Sequence, residues 1–141
     1  MAGDLTLQDV GLAVKRLQWR HHRAANTRLM AIGLSLPQWD VLRHLDANPD
    51  ASLHRLAELT FQTDQSMGAM AGRMIDRGLL ERVEGPGRAV RHRLTAAGQD
   101  LRKQGSDLTD MVLRETLGHL SEAELSILYT LLVKAAGGDD G

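Results

Sequence analysis

Residues 52–98 read SLHRLAELTFQTDQSMGAMAGRMIDRGLLERVEGPGRAVRHRLTAAG, and the order of segments within them decides the fold. Ser52 caps a short amphipathic helix with Leu53, Leu56, Ala57 and Leu59 inward. After a turn, Thr63 caps a longer helix. Its apolar stripe is Met67, Met70, Ala71 and Met74, at i, i+3, i+4 and i+7, which is one helix face. Gly78 closes that helix. Leu79 to Glu84 and Ala89 to Leu94 then read as two strands around a tight Gly85-Pro86-Gly87 tip. In the second strand Val90 and His92 share one face, and Arg91 and Arg93 the other. The sequence therefore predicts helix, turn, helix and hairpin.

Working outward, apolar Val10, Val14, Leu17, Ala24 and Leu29 recur at roughly helical spacing from about Thr6 to Ile32, with Gly33 as the stop. Ser35 caps the next helix, and Pro37 sits in its first turn, where a missing N–H costs nothing. Trp39, Leu42 and Leu45 face inward, and Asn48-Pro49 ends the segment. Downstream, Thr95 caps a long helix to about Leu117, with Leu101, Leu108, Met111 and Val112 as its clearest apolar positions. Ser121 and Glu124 form a capping box for a last helix. There Leu125, Leu128, Leu132 and Ala135 make one face, while Ile127 and Leu131 lie on another. Such a helix has more apolar surface than one domain readily buries. A partner subunit is the simplest cover, and packing of both faces within the chain is the alternative. The fold class is mainly α with a small β-hairpin: a winged helix-turn-helix over about 34–95, flanking helices over about 5–33 and 96–136, and a small acidic, disordered tail at 137–141.

A chain of 141 residues is long enough for one domain with a real core. Aromatics make up only 3%, so that core must be aliphatic and methionine-rich. Cysteine is absent, which excludes disulfide staples, Cys-based zinc sites and thiol redox sensing. No apolar run approaches the ~18 residues of a membrane span, and the N-terminus lacks a secretory pattern, so the expected compartment is the cytoplasm. Enzyme signatures are missing: there is no G-x-S-x-G, no phosphate-cradling glycine loop and no HExxH, and no cofactor is expected. The six histidines offer no chelating pair, since His21 and His22 project about 100° apart on a helix and His44, His54, His92 and His119 stand singly. Net charge is −1, but it is unevenly placed. Lys15, Arg16, Arg20, Arg23 and Arg28 share a stretch with no acid, and Arg82, Arg88, Arg91 and Arg93 crowd the hairpin against Glu84.

The methionine stripe fixes which side chains of the second quoted helix point out: Asp64, Gln65, Ser66, Gly68, Ala69 and Arg73. A polar, short-chained first turn suits a DNA major groove, where glutamine reads adenine N6 and N7 and serine bonds several base edges. Gly68 and Gly72 each cost about 1 kcal/mol relative to alanine inside a helix. Either something packs very close there, a DNA backbone or a neighbouring helix, or the pair is merely tolerated. Asp64 suits the positive end of the helix dipole, or accepts a bond from cytosine N4. Arg88 follows the hairpin tip, placed for a narrow minor groove, with Arg91 and Arg93 placed for phosphates. The rival reading is a winged-helix module that contacts protein instead of reading an operator.

The LAELT turn, the TDQSMGAMAGRMIDRGLLER helix with its exit strand, and the RLTAAG entry to a long helix resemble the multiple-antibiotic-resistance regulator (MarR) family over nearly the whole chain. The resemblance implies an obligate homodimer built from the N- and C-terminal helices. It implies a sequence-specific DNA-binding repressor of pseudo-palindromic operators, relieved by a small effector. By position, Thr63, Asp64, Gln65, Ser66 and Ala69 fall on the recognition face and Arg88 on the wing arginine. The chain departs from the family in its shorter wing, in Gly-Pro-Gly where an aspartate usually orients that arginine, and in Ala69 where relatives often carry arginine. Family ligands lie between the dimer helices and the winged domain. Here Arg16, Trp19, Arg20, Arg23 and Trp39 are candidates to hold an aromatic or anionic effector; the alternative is core tryptophans and a solvated or DNA-facing arginine stripe.

Overall fold

The computed structural model describes residues 3–84 and 90–138. Six helices and one hairpin follow in the order α1 (Leu7–Met30), α2 (Leu36–Ala47), α3 (Leu53–Leu59), α4 (Asp64–Asp76), β1 (Leu80–Glu84), β2 (Val90–Leu94), α5 (Ala96–Leu117) and α6 (Glu122–Ala135). Every helix begins at a serine or threonine whose side chain accepts from the backbone N–H three residues on: Thr6, Ser35, Ser52, Thr63, Thr95 and Ser121. Each such cap contributes about 1 kcal/mol.

The stops of α1 and α4 are glycine-based. Gly33 has φ +79° and Gly78 has φ +74°. Around Gly33 the Leu34 N–H reaches the Leu29 carbonyl and the Gly33 N–H reaches that of Met30. Around Gly78 the Leu79 N–H reaches Met74 and the Gly78 N–H reaches Ile75. Both are Schellman closures, in which the left-handed residue lets the chain fold back over the last turn. Leu79, expected to open the first strand, is instead the residue after this closure and is buried; the strand begins at Leu80.

The core gathers α2, α3, α4 and the end of α1 around Leu29, Leu34, Val41, Leu42, Leu45, Leu56, Met67, Met74 and Leu80. The strands pair antiparallel, with Leu80 opposite Leu94 and Glu84 opposite Val90. α5 returns across α1 and α2. Its buried positions are Gly98, Gly105, Thr109 and Val112, whereas Met111 is exposed and Leu101 and Leu108 are half-buried. Small residues are needed because the chain passes very close. A Cβ at Gly98 would stand 2.1 Å from the Leu79 carbonyl oxygen, and one at Gly105 would stand 2.3 Å from Trp39 Cδ1.

The ends of the chain are packed differently. Val10 and Val14, part of the apolar series in α1, are exposed, as are Leu7 and Leu12. No residue of α6 is buried; Ile127 is 60% and Tyr129 69% exposed. Neither apolar face of α6 is buried within the chain, Leu125 and Leu128 being only half-buried, so the internal-packing alternative fails. No helix among the described residues is long and apolar enough to cross a membrane.

Candidate nucleic-acid interface

α3 and α4 meet through the turn at Thr60, Phe61 and Gln62. Phe61 takes φ +55° and is 95% exposed. Gln62 ties the turn to the helix: its Nε2 donates to Thr60 Oγ1 at 2.9 Å and lies 3.8 Å from both Met67 Sδ and Met70 Sδ. Thr63 Oγ1 accepts from the Ser66 N–H at 3.1 Å, so the N-cap is Thr63 and Asp64 is the first helical residue. There a carboxylate is favourable with the helix dipole.

Met67, Met70, Ala71 and Met74 are buried, as their spacing requires. Asp64, Gln65, Ser66, Ala69 and Arg73 are exposed with Thr63, and Gly68 is half-buried. Ser66 Oγ donates to Gln62 Oε1 at 3.3 Å, so its hydroxyl has a partner within the chain. A Cβ at Gly68 or Gly72 would meet nothing within 4 Å. That removes a neighbouring helix of this chain as the reason for the glycines and leaves an external close approach or simple tolerance.

In the hairpin, Arg93 is exposed but paired across the strands with Glu81. Arg91 is half-buried opposite Val83 and donates from Nη1 to the Val90 carbonyl at 3.3 Å. Arg88, with the Gly85-Pro86-Gly87 tip, lies outside the described residues. His92 turns inward, 4% exposed, and its Nδ1 has no hydrogen-bond partner among the described residues. Burial, with Arg82 second, holds its pKa below the ordinary imidazole value.

A shallow depression of about 420 Å³ lies along α1, lined by Trp19, Arg20, Arg23, Ala24, Thr27 and Arg28. Of the candidate effector residues it brings together Trp19, Arg20 and Arg23. Arg16 lies outside it. Trp39 is a core residue, 6% exposed, whose Nε1 donates to the Arg102 carbonyl at 3.2 Å. Arg28 was not anticipated: it pairs with Glu115, and its Nη1 is buried without a partner among the described residues. The signal was present in the sequence, since Arg20, Arg23 and Thr27 repeat at i, i+3 and i+7 and Arg28 adjoins them. The Trp19 ring stacks on His22 with centroids 6.0 Å apart.

A capped polar helix held by an apolar back face, followed by a hairpin, defines a winged helix-turn-helix protein. The MarR family model matches residues 32–89. The transcriptional regulator HosA of Escherichia coli O111:H- is 31% identical over 103 residues, covering 72% of this chain and 76% of that protein. The chain belongs to the MarR family of transcriptional regulators. Among solved structures, a complex of the Mycobacterium tuberculosis MarR family protein Rv2887 with salicylic acid superposes with a TM-score of 0.73 at 25% identity, over 96% of this chain and 99% of that one. A mutant MarR from E. coli, complexed with operator DNA, shares the fold with a TM-score of 0.80 at 21% identity, over 94% of this chain and 99% of that one.

Proposed function

We propose that the protein is a homodimeric repressor that reads a pseudo-palindromic operator through α4. One observation carries this: the exposed first turn of α4 is polar and short-chained while the opposite face is locked into the core. Gln65 reads a base edge, Thr63 and Ser66 lie beside it, and Arg73 reaches toward phosphate. Arg88 and Arg91 serve the wing; Arg93 joins them only by giving up Glu81. The uncovered faces of α6 and the start of α1 supply the dimer contact, and two α4 helices then meet major grooves about 10 bp apart.

The depression on α1 suits an aromatic carboxylate, with Trp19 as a stacking face and Arg20 and Arg23 as cations. The salicylic acid in the Rv2887 structure supports that class. α5 carries the coupling. Its cap Thr95 donates to the Gly78 carbonyl, and Gly98 lies directly against Leu79, so a shift of α5 moves the exit of α4. A ligand acts only as far as it prefers one dimer geometry.

Selection from random duplex DNA, followed by titration at two salt concentrations, tests this reading. A defined motif with steep salt dependence is expected. Gln65→Ala then relaxes preference at one base position by about 1–3 kcal/mol. An unenriched pool would point instead to a winged helix used for protein contact.

A further inference from the structure

Asp64 places a carboxylate in the first turn of the helix assigned to DNA, where phosphates approach. The structure holds a counterweight on the other side of the turn. Leu56 and Ala57 anchor α3 in the core, which directs His54, its second residue, outward toward α4. His54 Nδ1 lies 2.8 Å from Asp64 Oδ1, and its Nε2 lies 3.5 Å from Glu58 Oε1. Both ring nitrogens thus face carboxylates. A neutral imidazole has one N–H, so its other nitrogen would turn a lone pair on an anion; only the imidazolium donates on both sides.

We propose that His54 is a positioning residue of the DNA-binding surface: its imidazolium pairs with Asp64, cancels that carboxylate where the operator phosphates approach, and makes operator binding take up a proton. The inference rests on the assignment of α4 as the reading helix. The groups acting on His54 are Asp64 from α4, first by its hydrogen bond and then by its charge, and Glu58 from α3 itself. They raise its pKa above the ordinary imidazole value. α2, the other helix against α3, contributes no such group among the described residues.

In the free protein the pair is weak, because both side chains are 69% exposed and solvent screens them. DNA changes the balance. A duplex carries a charge about every 1.7 Å along its axis, and that field favours the cation and penalises a bare carboxylate. The bound state therefore holds the proton to higher pH than the free state. Binding is strongest below the free-state pKa of His54 and weakens as pH rises through the bound-state value. Each unit of difference between the two values is about a tenfold change in affinity.

The test measures dissociation constants for one selected operator at constant salt, from about pH 6 to about pH 8, where histidine titrates. Wild type should weaken with rising pH by up to about tenfold. His54→Gln should bind more weakly at low pH and lose most of the slope. Asp64→Asn should bind more tightly at high pH and lose the part of the slope that passes through Asp64. Removing His54 should cost much less in the Asp64→Asn background than in wild type, because His54 acts chiefly through Asp64. The exposed pair leaves folding intact, and the four proteins share every other side chain. A wild-type slope in His54→Gln overturns the proposal, as does an equal loss from His54→Gln with or without Asp64. Failure of wild type to prefer any sequence at any pH overturns the reading of α4, and the proposal with it.

Discussion

The segment from α2 to β1 and the helix α6 are built from similar apolar residues, yet the chain treats them in opposite ways. In the first, Val41, Leu42, Leu45, Leu56, Met67, Met74 and Leu80 are removed from solvent by their own neighbours. In the second, Ile127, Leu131 and Leu132 remain exposed on a well-capped helix that rests on little else of this chain. Burial of a leucine or isoleucine side chain stabilises by about 1.5–3 kcal/mol, so a row left open is a row whose partner is elsewhere. One region is a finished core, and the other is an apolar face that this chain leaves uncovered, the face proposed above as the dimer contact.

The largest expected effect sharpens that contrast. Leu42→Ala should lower unfolding free energy by about 2–5 kcal/mol, by lost transfer energy plus the cavity left behind. Denaturant titration reads this in any subunit state. Ile127→Asp should instead act through assembly, giving a protein that sediments as a monomer and whose melting temperature no longer rises with concentration. An Ile127→Asp protein that still sediments as a dimer would remove α6 from the interface and erase the comparison.

The next effect is a polar flaw on β2, the strand that pairs with the end of the finished region. His92 is buried, its Nδ1 lacks a partner among the described residues, and its pKa is lowered chiefly by burial. Above the unfolded-state pKa both states are neutral and His92 contributes no pH dependence. As pH falls below it, the unfolded chain takes up a proton that the folded chain resists, so stability is lost toward acid. His21 and His44, lowered mainly by burial as well, act in the same direction. His92→Gln should therefore flatten part, not all, of the acid loss of melting temperature. An unaltered profile would mean that His92 is hydrated in solution.

Most of this architecture is legible in the sequence because it is written in local signals. The caps at Ser35, Ser52, Thr63 and Ser121, the glycine stops, and the i, i+3, i+4, i+7 stripe of Met67, Met70, Ala71 and Met74 each need only a short window. What stays hidden depends on residues far apart. Gly98 against Leu79 and Gly105 against Trp39 are close approaches that no periodicity announces. The pairing of Arg93 with Glu81 needs the strand register, and that of His54 with Asp64 spans the turn. Trp39 is ambiguous in sequence because an aromatic suits both a core and a ligand face; packing on Gly105 decides it.

The smallest expected effect lies where the finished region behaves like the open one. Phe61 is the sole non-glycine residue with positive φ among the described residues, and its ring is almost wholly exposed. A bulky side chain in the left-handed region costs about 1–3 kcal/mol, and asparagine tolerates that region far better. With no packing to lose, Phe61→Asn should raise unfolding free energy by about 1 kcal/mol. A stability gain with unchanged operator affinity would make Phe61 a tolerated strain. A stability gain accompanied by weaker operator binding would mean that the strain holds the ring beside α4 for contact, giving the packed half an unfinished surface of its own. A loss of stability would show that the turn depends on the ring, and would end the view of this point as strained.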